Sequence, residues 1–515
     1  MLFMLVSVRA QERTVTGRVT STEDGSPLPG VNVVIKGTTN GTVTDANGNY
    51  KLSTPSSGGA LIFSFVGLQT QEIEIGDRTV VDISLTLDVT QLTEVVVTAG
   101  GIAQNKRDLG YAIQSVNSEA VVESRQSNLL NGLSGKAAGV QITSSAGTPG
   151  AAAQIRIRGG SSISGSNDPL FVVDGIPVDN SSTGGSVDGV NQSNRLVDFN
   201  PNDVESITVL KGPAATVQYG IRGSNGVIIV TTKKGAKKQK ATITVSSTTT
   251  VDRVNKLPEM QTSWAQGRNG VYRGPATGEA TSWGPRISDL VFIPGSTSIY
   301  DKNGSLGLAS ENPGGRKANA YDNTGTFFVD GITKDNFISV AGGNDKSTVY
   351  ASAGYLAQNG IVPNSTFQRY SFKLNADTKL NEKISVGAGA AYTQSGGQRI
   401  QQGSNLSGVM LGLLRTPPTF DNANGISDNP ADNPASYTQP GIPATDPDNY
   451  QRSYRFNYDN PYWVVNKAPY RDYVNRFVGN LNATYKPTDW LSITARSGGD
   501  YFADFRKEVF DIGSK

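Results

Sequence analysis

The sequence predicts a mainly β protein in three consecutive parts: a small Ig- or transthyretin-like β-sandwich, an α+β middle domain, and the first strands of a large, membrane-spanning β-barrel. Three observations predict it. Residues 13–88 break into short alternating runs with turn signals roughly every 8–12 residues. Residues 201–235 read as strand, tight turn, helical turn, glycine hinge and buried strand. From Ala236 onward, alternating runs of about ten residues are joined by connectors that are short and long in turn, which is the pattern of an outer-membrane barrel.

Composition agrees and removes other classes. Glycine makes up 59 of 515 residues and apolar residues only 36%, which suits a turn-rich β protein with a wet interior. Lys plus Arg is 46 against Asp plus Glu 44, leaving +2 and no bias towards nucleic acid. With no His and no Cys, there is no Ser-His-Asp triad, HExxH zinc site, thiol nucleophile or disulfide framework. Neither a catalytic residue, a metal ligand set nor a cofactor is assigned. Beyond the N-terminus no run approaches the ~18 apolar residues of a spanning helix, which leaves strands as the means of crossing a membrane.

Residues 1–10 are apolar up to Val8 and close on Arg9-Ala10. Val8 and Ala10 stand as in a small-residue cleavage site, so the stretch reads as the remnant of a secretory signal. The sandwich follows at 13–88, with strands expected at 14–20, 31–35, 41–44, 50–53, 61–65, 71–75 and 80–87. Its words Gly17-Arg18-Val19, Pro29-Gly30-Val31 and Asp45-Ala46-Asn47-Gly48-Asn49-Tyr50 resemble the carboxypeptidase-regulatory-like domain. Asp45-Ala46-Asn47-Gly48 also hints at a calcium loop, but Asn-Gly at the tip of a hairpin is the commoner meaning.

In the middle domain, residues 105–235, the run Ile207–Leu210 stops at Gly212-Pro213. Glycines 220, 223 and 226 then allow backbone that a Cβ would obstruct, and Val227-Ile228-Ile229-Val230 is apolar on both faces, as a covered strand is. Residues 129–139 are expected to form a short amphipathic helix running into a strand. Ile155-Arg156-Ile157-Arg158 alternates strictly, and Val173-Asp174-Gly175-Ile176 turns at Asp-Gly.

The ordered words Val209-Leu210-Lys211-Gly212-Pro213, Tyr219-Gly220, Arg222-Gly223, Asn225-Gly226-Val227-Ile228 and Thr231-Thr232-Lys233-Lys234-Gly235 resemble the end of the plug domain of TonB-dependent outer-membrane transporters, in the SusC/RagA branch. The stretch Asn167-Asp168-Pro169-Leu170-Phe171-Val172-Val173-Asp174-Gly175 resembles the same branch. The resemblance implies a bacterial outer-membrane location and import of an oligosaccharide or oligopeptide. It also implies TonB, with ExbB and ExbD, as energy source and a SusD-like lipoprotein as lid. Within it, Gly175, Gly212, Tyr219, Gly220, Gly223 and Gly226 carry the plug motif. Arg156, Arg158, Asp174 and Arg222 would hold the plug in a polar lumen by contacts that break and re-form; taken alone they also read as surface charge.

Between sandwich and plug, at 89–104, lies Leu92-Thr93-Glu94-Val95-Val96-Val97-Thr98, an isolated β-prone run. An unpartnered strand invites a partner, and in this family a segment so placed resembles the TonB box, which adds as a strand to TonB. By pattern alone it also fits a last strand of the sandwich.

Residues 236–515 carry barrel-like alternation at 241–250, 336–341, 348–356, 367–378, 383–393, 473–485 and 490–502. A plug ending in the periplasm sends the first strand outward, so the first connector should be a long outer one, and 251–335 is. These runs fall short of the about 22 strands that enclose a plug, so the sequence is expected to cover only part of the barrel. Aromatic residues in the long connectors, Trp264, Trp283, Tyr462 and Trp463 among them, could stack on sugars or peptide side chains, or form the loops' own cores. Two alternatives compete: a siderophore or vitamin receptor of the same transport class, and a secreted multidomain β adhesin or glycan-binding protein. The second expects repeated sandwiches after 236.

Overall fold

The computed structural model describes residues 12–55, 59–65, 67–86, 95–97, 103–105, 113–124, 126–144, 147–160, 162–163, 165–181, 190–212, 216–402, 407–423, 438 and 451–515. The chain divides into two compact units, Met1–Val96 with Ala103–Gly110, and Val97–Ile102 with Tyr111–Lys515.

The first unit is the expected sandwich. Its strands are β1 (Glu12–Ser21), β2 (Asn32–Ile35), β3 (Gly41–Val43), β4 (Asn49–Pro55), β5 (Ala60–Ser64), β6 (Gln71–Glu74) and β7 (Ile83–Leu85). They form a three-stranded sheet β4-β1-β7 and a four-stranded sheet β3-β2-β5-β6. Alternation turns Val15, Val19, Val33, Ile35, Leu52, Leu61 and Phe63 into one core. Tyr50 lies edge-on to Phe63 and donates its hydroxyl to the Val81 carbonyl at 2.8 Å. At the 45–49 turn the Asp45 Oδ1 accepts the amides of Asn47 and Asn49, both at 2.9 Å, so its carboxylate caps a hairpin. Those amide bonds hold the Asp45 carboxyl below its ordinary range.

Between the two named units' main bodies, β8 (Val95–Val97) pairs with β9 (Ala103–Asn105) as a separate two-stranded ladder and joins neither sandwich sheet.

In the second unit, β10 (Ile113–Asn117), β13 (Leu170–Val173), β14 (Ile176–Val178), β15 (Val204–Leu210) and β16 (Val227–Thr232) make a five-stranded sheet in the order β10-β15-β16-β13-β14. A hairpin of β11 (Val140–Ser144) and β12 (Ala153–Ile157), with α1 (Ser118–Glu123) and α2 (Leu129–Gly132), packs on it around Leu130, Leu133, Ile155, Phe171, Ile207 and Ile228. The β16 residues Val227 to Val230 are all buried, as their two-faced apolarity predicts. Asp174 and Gly175 both take positive φ, 50° and 87°, the primed turn that a two-residue hairpin favours. Gly226 (φ 94°) packs so tightly that a Cβ would lie 2.8 Å from Ile157 Cδ1.

The helix expected at 129–139 is only the single turn α2. Asn128 caps its start by accepting the Leu130 amide at 3.0 Å. It does not continue because Gly135 and Gly139 turn left-handed at φ 74° and 67°. Of the helical turns expected at 214–219, the structure has a 3-10 stretch at Val217–Gly223 that kinks at Gly220.

The remainder is built on one antiparallel sheet of seven long strands in chain order: β17 (Thr242–Asp252), β18 (Gly331–Gly343), β19 (Ser347–Asn359), β20 (Thr366–Lys379), β21 (Ile384–Arg399), β22 (Tyr470–Thr488) and β23 (Leu491–Glu508), with two small sheets in the first long connector. No repeated sandwich appears among the described residues after 236, against the adhesin expectation. The strands exceed the expected ten residues, reaching 19 in β22. Apolar alternation marks only their outward band, whereas the hydrogen-bond ladder continues for as long as a neighbour is present.

The polarity of this sheet is inverted relative to a soluble one. Along β20 the buried positions are Phe367, Arg369, Ser371, Lys373 and Asn375, four of the five polar, while Tyr370, Phe372 and Leu374 are exposed. In β22, Asp472 and Arg476 are buried between Tyr470, Val474 and Val478 on the inward face, and Tyr473, Phe477, Leu481 and Tyr485 are exposed. Polar inside and apolar outside is the arrangement of a lipid-facing strand.

Candidate functional site

The chemistry of the second unit is concentrated where the five-stranded domain meets the inner face of this wall. Three wall arginines do most of the joining. Arg369 spends Nη1 on three carbonyls, Ser127 at 3.0 Å, Val197 at 2.8 Å and Phe199 at 3.1 Å. Arg399 grips Asp472 through Nε at 2.9 Å, donates to the Ser193 hydroxyl at 2.6 Å and reaches the Pro149 carbonyl. Arg476 holds Asp500 in a two-pronged pair at 2.8 and 2.6 Å and lies 3.4 Å from Asp198. It also bonds the carbonyls of Asp179 (2.9 Å) and Arg195.

Other seats are acids and amides of the inner domain. Asp174 Oδ2 faces Lys373 Nζ at 3.3 Å while both its oxygens hold Thr232, tying the β13–β14 turn to β16 and to the wall together. Asp198 accepts from the Ser395 hydroxyl at 2.6 Å, and Asn375 bonds Thr232 and the Lys233 carbonyl. Asp203 is buried, and its Oδ1 accepts from the hydroxyls of Tyr350 (2.9 Å) and Ser352.

Burial pushes the Asp203 carboxyl up, opposed by the hydroxyls of Ser352 and Tyr350. A folded value above the unfolded one means that its contribution to seating is complete below the unfolded pKa and is lost as pH rises through the folded one. Asp203→Asn, neutral at every pH, is therefore expected to gain stability relative to the parent as pH climbs above about 4. Unfolding midpoints of the full-length protein across pH check this, and a parallel pair of curves would contradict it.

The sequence singled out four charged residues for this role, and of these the structure seats Asp174 alone against the wall. Arg156, Arg158 and Arg222 are exposed. Of the missed groups, Arg369, Arg399 and Arg476, two leave a signal. Arg369 is followed on the opposite face by Tyr370, Phe372 and Leu374 and Arg476 stands between Tyr473 and Phe477, so each must point at something polar within, whereas Arg399, beside Gln394, Gly396 and Gln398, carries no such pattern. The glycines assigned to the motif do conformational work: Gly175, Gly220 and Gly226 take positive φ, while Gly212 and Gly223 do not. Tyr219 sits beside Gly223 in the 3-10 stretch.

At the long-connector end, residues 253–330 fold onto the described parts of the second long connector, 407–423 and 451–469. The Tyr321 amide donates to the Pro418 carbonyl at 2.8 Å, and Asn323 bonds both Phe420 and Asn422. Arg452 is wholly buried under Phe420 and donates to the carbonyls of Tyr300 and Asn422, both at 3.1 Å. Burial lowers its pKa to about 10, so it stays protonated at neutral pH. Between the two connectors lies a cavity of about 710 Å³, lined by Leu257, Met260, Asp322, Leu413, Leu414 and Arg415 among others.

The four aromatic candidates separate here. Tyr462 and Trp463 are 4% and 0% exposed. They sit on α3 (Pro461–Lys467), Tyr462 edge-on to Phe327, Trp463 donating to Ser514 at 2.9 Å. Their faces are spent on the loop core and leave no surface for a ligand. Trp264 and Trp283 keep 37% and 67% of theirs exposed, Trp264 under the Arg286 guanidinium. Trp463→Ala is expected to cost about 3–5 kcal/mol through the cavity it leaves, read as faster proteolysis of the loops; Trp283→Ala should leave that rate unchanged.

Of the segment 92–98, Val95, Val96 and Val97 form β8, while Leu92, Thr93, Glu94 and Thr98 lie outside the described residues.

Residues 15–97 match the CarboxypepD_reg-like domain, and residues 105–227 the TonB-dependent Receptor Plug Domain. TonB-dependent receptor SusC of Bacteroides thetaiotaomicron is 31% identical over 508 residues, 97% of this chain and 45% of that protein. TonB-dependent receptor P3 of Formosa agariphila is 32% identical over 473 residues, 88% of this chain and 41% of that protein. The chain thus spans under half the length of these curated relatives. Among solved structures, the RagAB peptide importer in its open-open state superposes with a TM-score of 0.56 at 24% identity, over 80% of this chain and 42% of that chain. At that identity the likeness speaks for the fold.

Proposed function

We propose, for a chain that belongs with the TonB-dependent receptors and carries their plug domain behind a CarboxypepD_reg-like domain, that it serves active import of an oligosaccharide or oligopeptide across the bacterial outer membrane. One observation carries the reading. A five-stranded domain is seated by buried polar contacts on the largely polar face of a seven-stranded sheet whose other face is apolar. An apolar outer face belongs in lipid, and a polar inner face belongs to a wet lumen.

In this reading cargo is taken up at the long-connector end, beside the cavity between the two connectors and the exposed Trp264 and Trp283, under a SusD-like lipoprotein. TonB, driven through ExbB and ExbD, adds to residues 92–98 by strand pairing and pulls. The plug then shifts or partly unfolds and opens a path. A polar seating favours this, because contacts to water replace those to the wall as they break, whereas a greasy interface would leave apolar area exposed. The chain itself is given no catalytic role.

The test is uptake by a strain carrying the full-length gene as its sole copy, with and without a proton uncoupler. Import that needs the gene and stops with the uncoupler supports the proposal. Import insensitive to the uncoupler would overturn it, and heat-modifiable gel migration of the purified protein reports separately on the barrel.

A further inference from the structure

The short-turn end of the wall carries charge that the seating of the plug does not use. Its turns are linked sideways by backbone bonds: Lys238 donates to Asn344, Lys379 to the Lys346 carbonyl at 2.8 Å, and Lys486 to the Lys383 carbonyl at 2.8 Å. The lysines of four successive connections therefore form one continuous row rather than separate patches. Lys234 pairs with Asp377 and Lys238 with Asp345. Lys237, Lys240, Lys346, Lys379, Lys383 and Lys486 are exposed and have no ion pair among the described residues. Against these six stand only Glu382 and Asp489, so the row keeps 6 − 2 = +4 after its internal pairs cancel, where the whole chain has 46 − 44 = +2.

A second observation sits directly beside the row. Trp490 is 82% and Leu380 64% exposed, and Tyr485, Leu491 and Ile493 continue outward on the same strands as open apolar surface. Lysines bordering an aromatic and aliphatic band match a membrane boundary, where the ammonium reaches the headgroups and the ring lies at their level. A neutral headgroup would satisfy the aromatic band alone; an uncompensated +4 row calls for negative charge facing it.

We propose that this row is a docking surface for anionic phospholipid headgroups of the leaflet on the short-turn side. The proposal rests on reading the seven-stranded sheet as a membrane-spanning wall. The row holds several headgroups side by side, because its lysines are spaced along successive turns and not gathered into a pocket.

The experiment uses the full-length receptor in detergent, offered equal phosphatidylglycerol and phosphatidylcholine, with retained lipid counted by native mass spectrometry. Phosphatidylglycerol should be retained on the order of tenfold over phosphatidylcholine. A combined Lys346→Glu, Lys379→Glu, Lys383→Glu, Lys486→Glu variant should bring the ratio close to one, as should the corresponding Gln set, which tests charge without reversal. Inorganic phosphate at matching concentration should not displace the lipid. Equal retention of the two lipids, an unchanged preference in both variants, or displacement by inorganic phosphate would overturn the proposal. Heat-modifiable migration run in parallel separates the causes. A barrel that migrates normally but shows no preference defeats the docking surface alone, and loss of heat-modifiability in the parent defeats the wall and the surface together.

Discussion

Deletion of residues 93–98 is expected to abolish uptake while membrane insertion and cargo binding stay at parental levels. Its described part, the Val95–Val97 strand, stands outside both sandwich sheets and pairs only with Ala103–Asn105 among the described residues. A strand of three residues with one short neighbour gains little from its ladder and can add an incoming edge at small cost. Removing it takes away the proposed TonB-binding strand but none of the residues that seat the plug or line the loop cavity. Energised uptake of labelled cargo, binding to purified receptor and heat-modifiable migration measure the three consequences separately. Normal uptake by the deletion strain would refute the assignment of residues 92–98 to TonB. Val96→Pro, which deletes one main-chain donor and leaves length unchanged, should fall in the same direction.

Arg476→Ala should have the largest effect on how the plug is held. The guanidinium is 2% exposed and serves Asp500, Asp198 and two carbonyls at once. Truncation strips Asp500 of its paired cation, leaving it the Asp179 amide, and takes a donor from Asp198 and from two carbonyls; removing one partner of such a buried pair costs about 3–5 kcal/mol. The expected result is a lower unfolding midpoint of the full-length receptor and leakage of a large antibiotic that the outer membrane normally excludes. Arg476→Ala combined with Asp500→Ala removes both members of the pair and should recover part of the loss. An Arg476→Ala receptor as stable and as impermeable as the parent would show that the seating lies elsewhere. Arg369→Ala, which frees three carbonyls rather than a carboxylate, is expected to act in the same direction by a smaller amount.

Local chemistry was readable wherever a backbone rule decided the outcome. All seven sandwich strands, the Asp174-Gly175 turn, the covered β16 and the seven wall strands follow from alternation and turn residues. These are properties of a residue and its near neighbours. The helix expected at 129–139 failed for the same kind of reason in reverse: its apolar spacing was right, but Gly135 and Gly139 turned the backbone left-handed.

What the sequence by itself determined is the order of parts and the sidedness of each strand, because period-two alternation assigns every side chain to one face or the other. What only the tertiary structure decided is what each face meets. A buried arginine and a surface arginine look alike in a sequence, so Arg156 and Arg476 could be told apart only once the fold brought Asp198 and Asp500 to one of them. The same holds for Trp463 and Trp283: burial depends on two connectors more than a hundred residues apart closing on each other, and no local pattern encodes that closure.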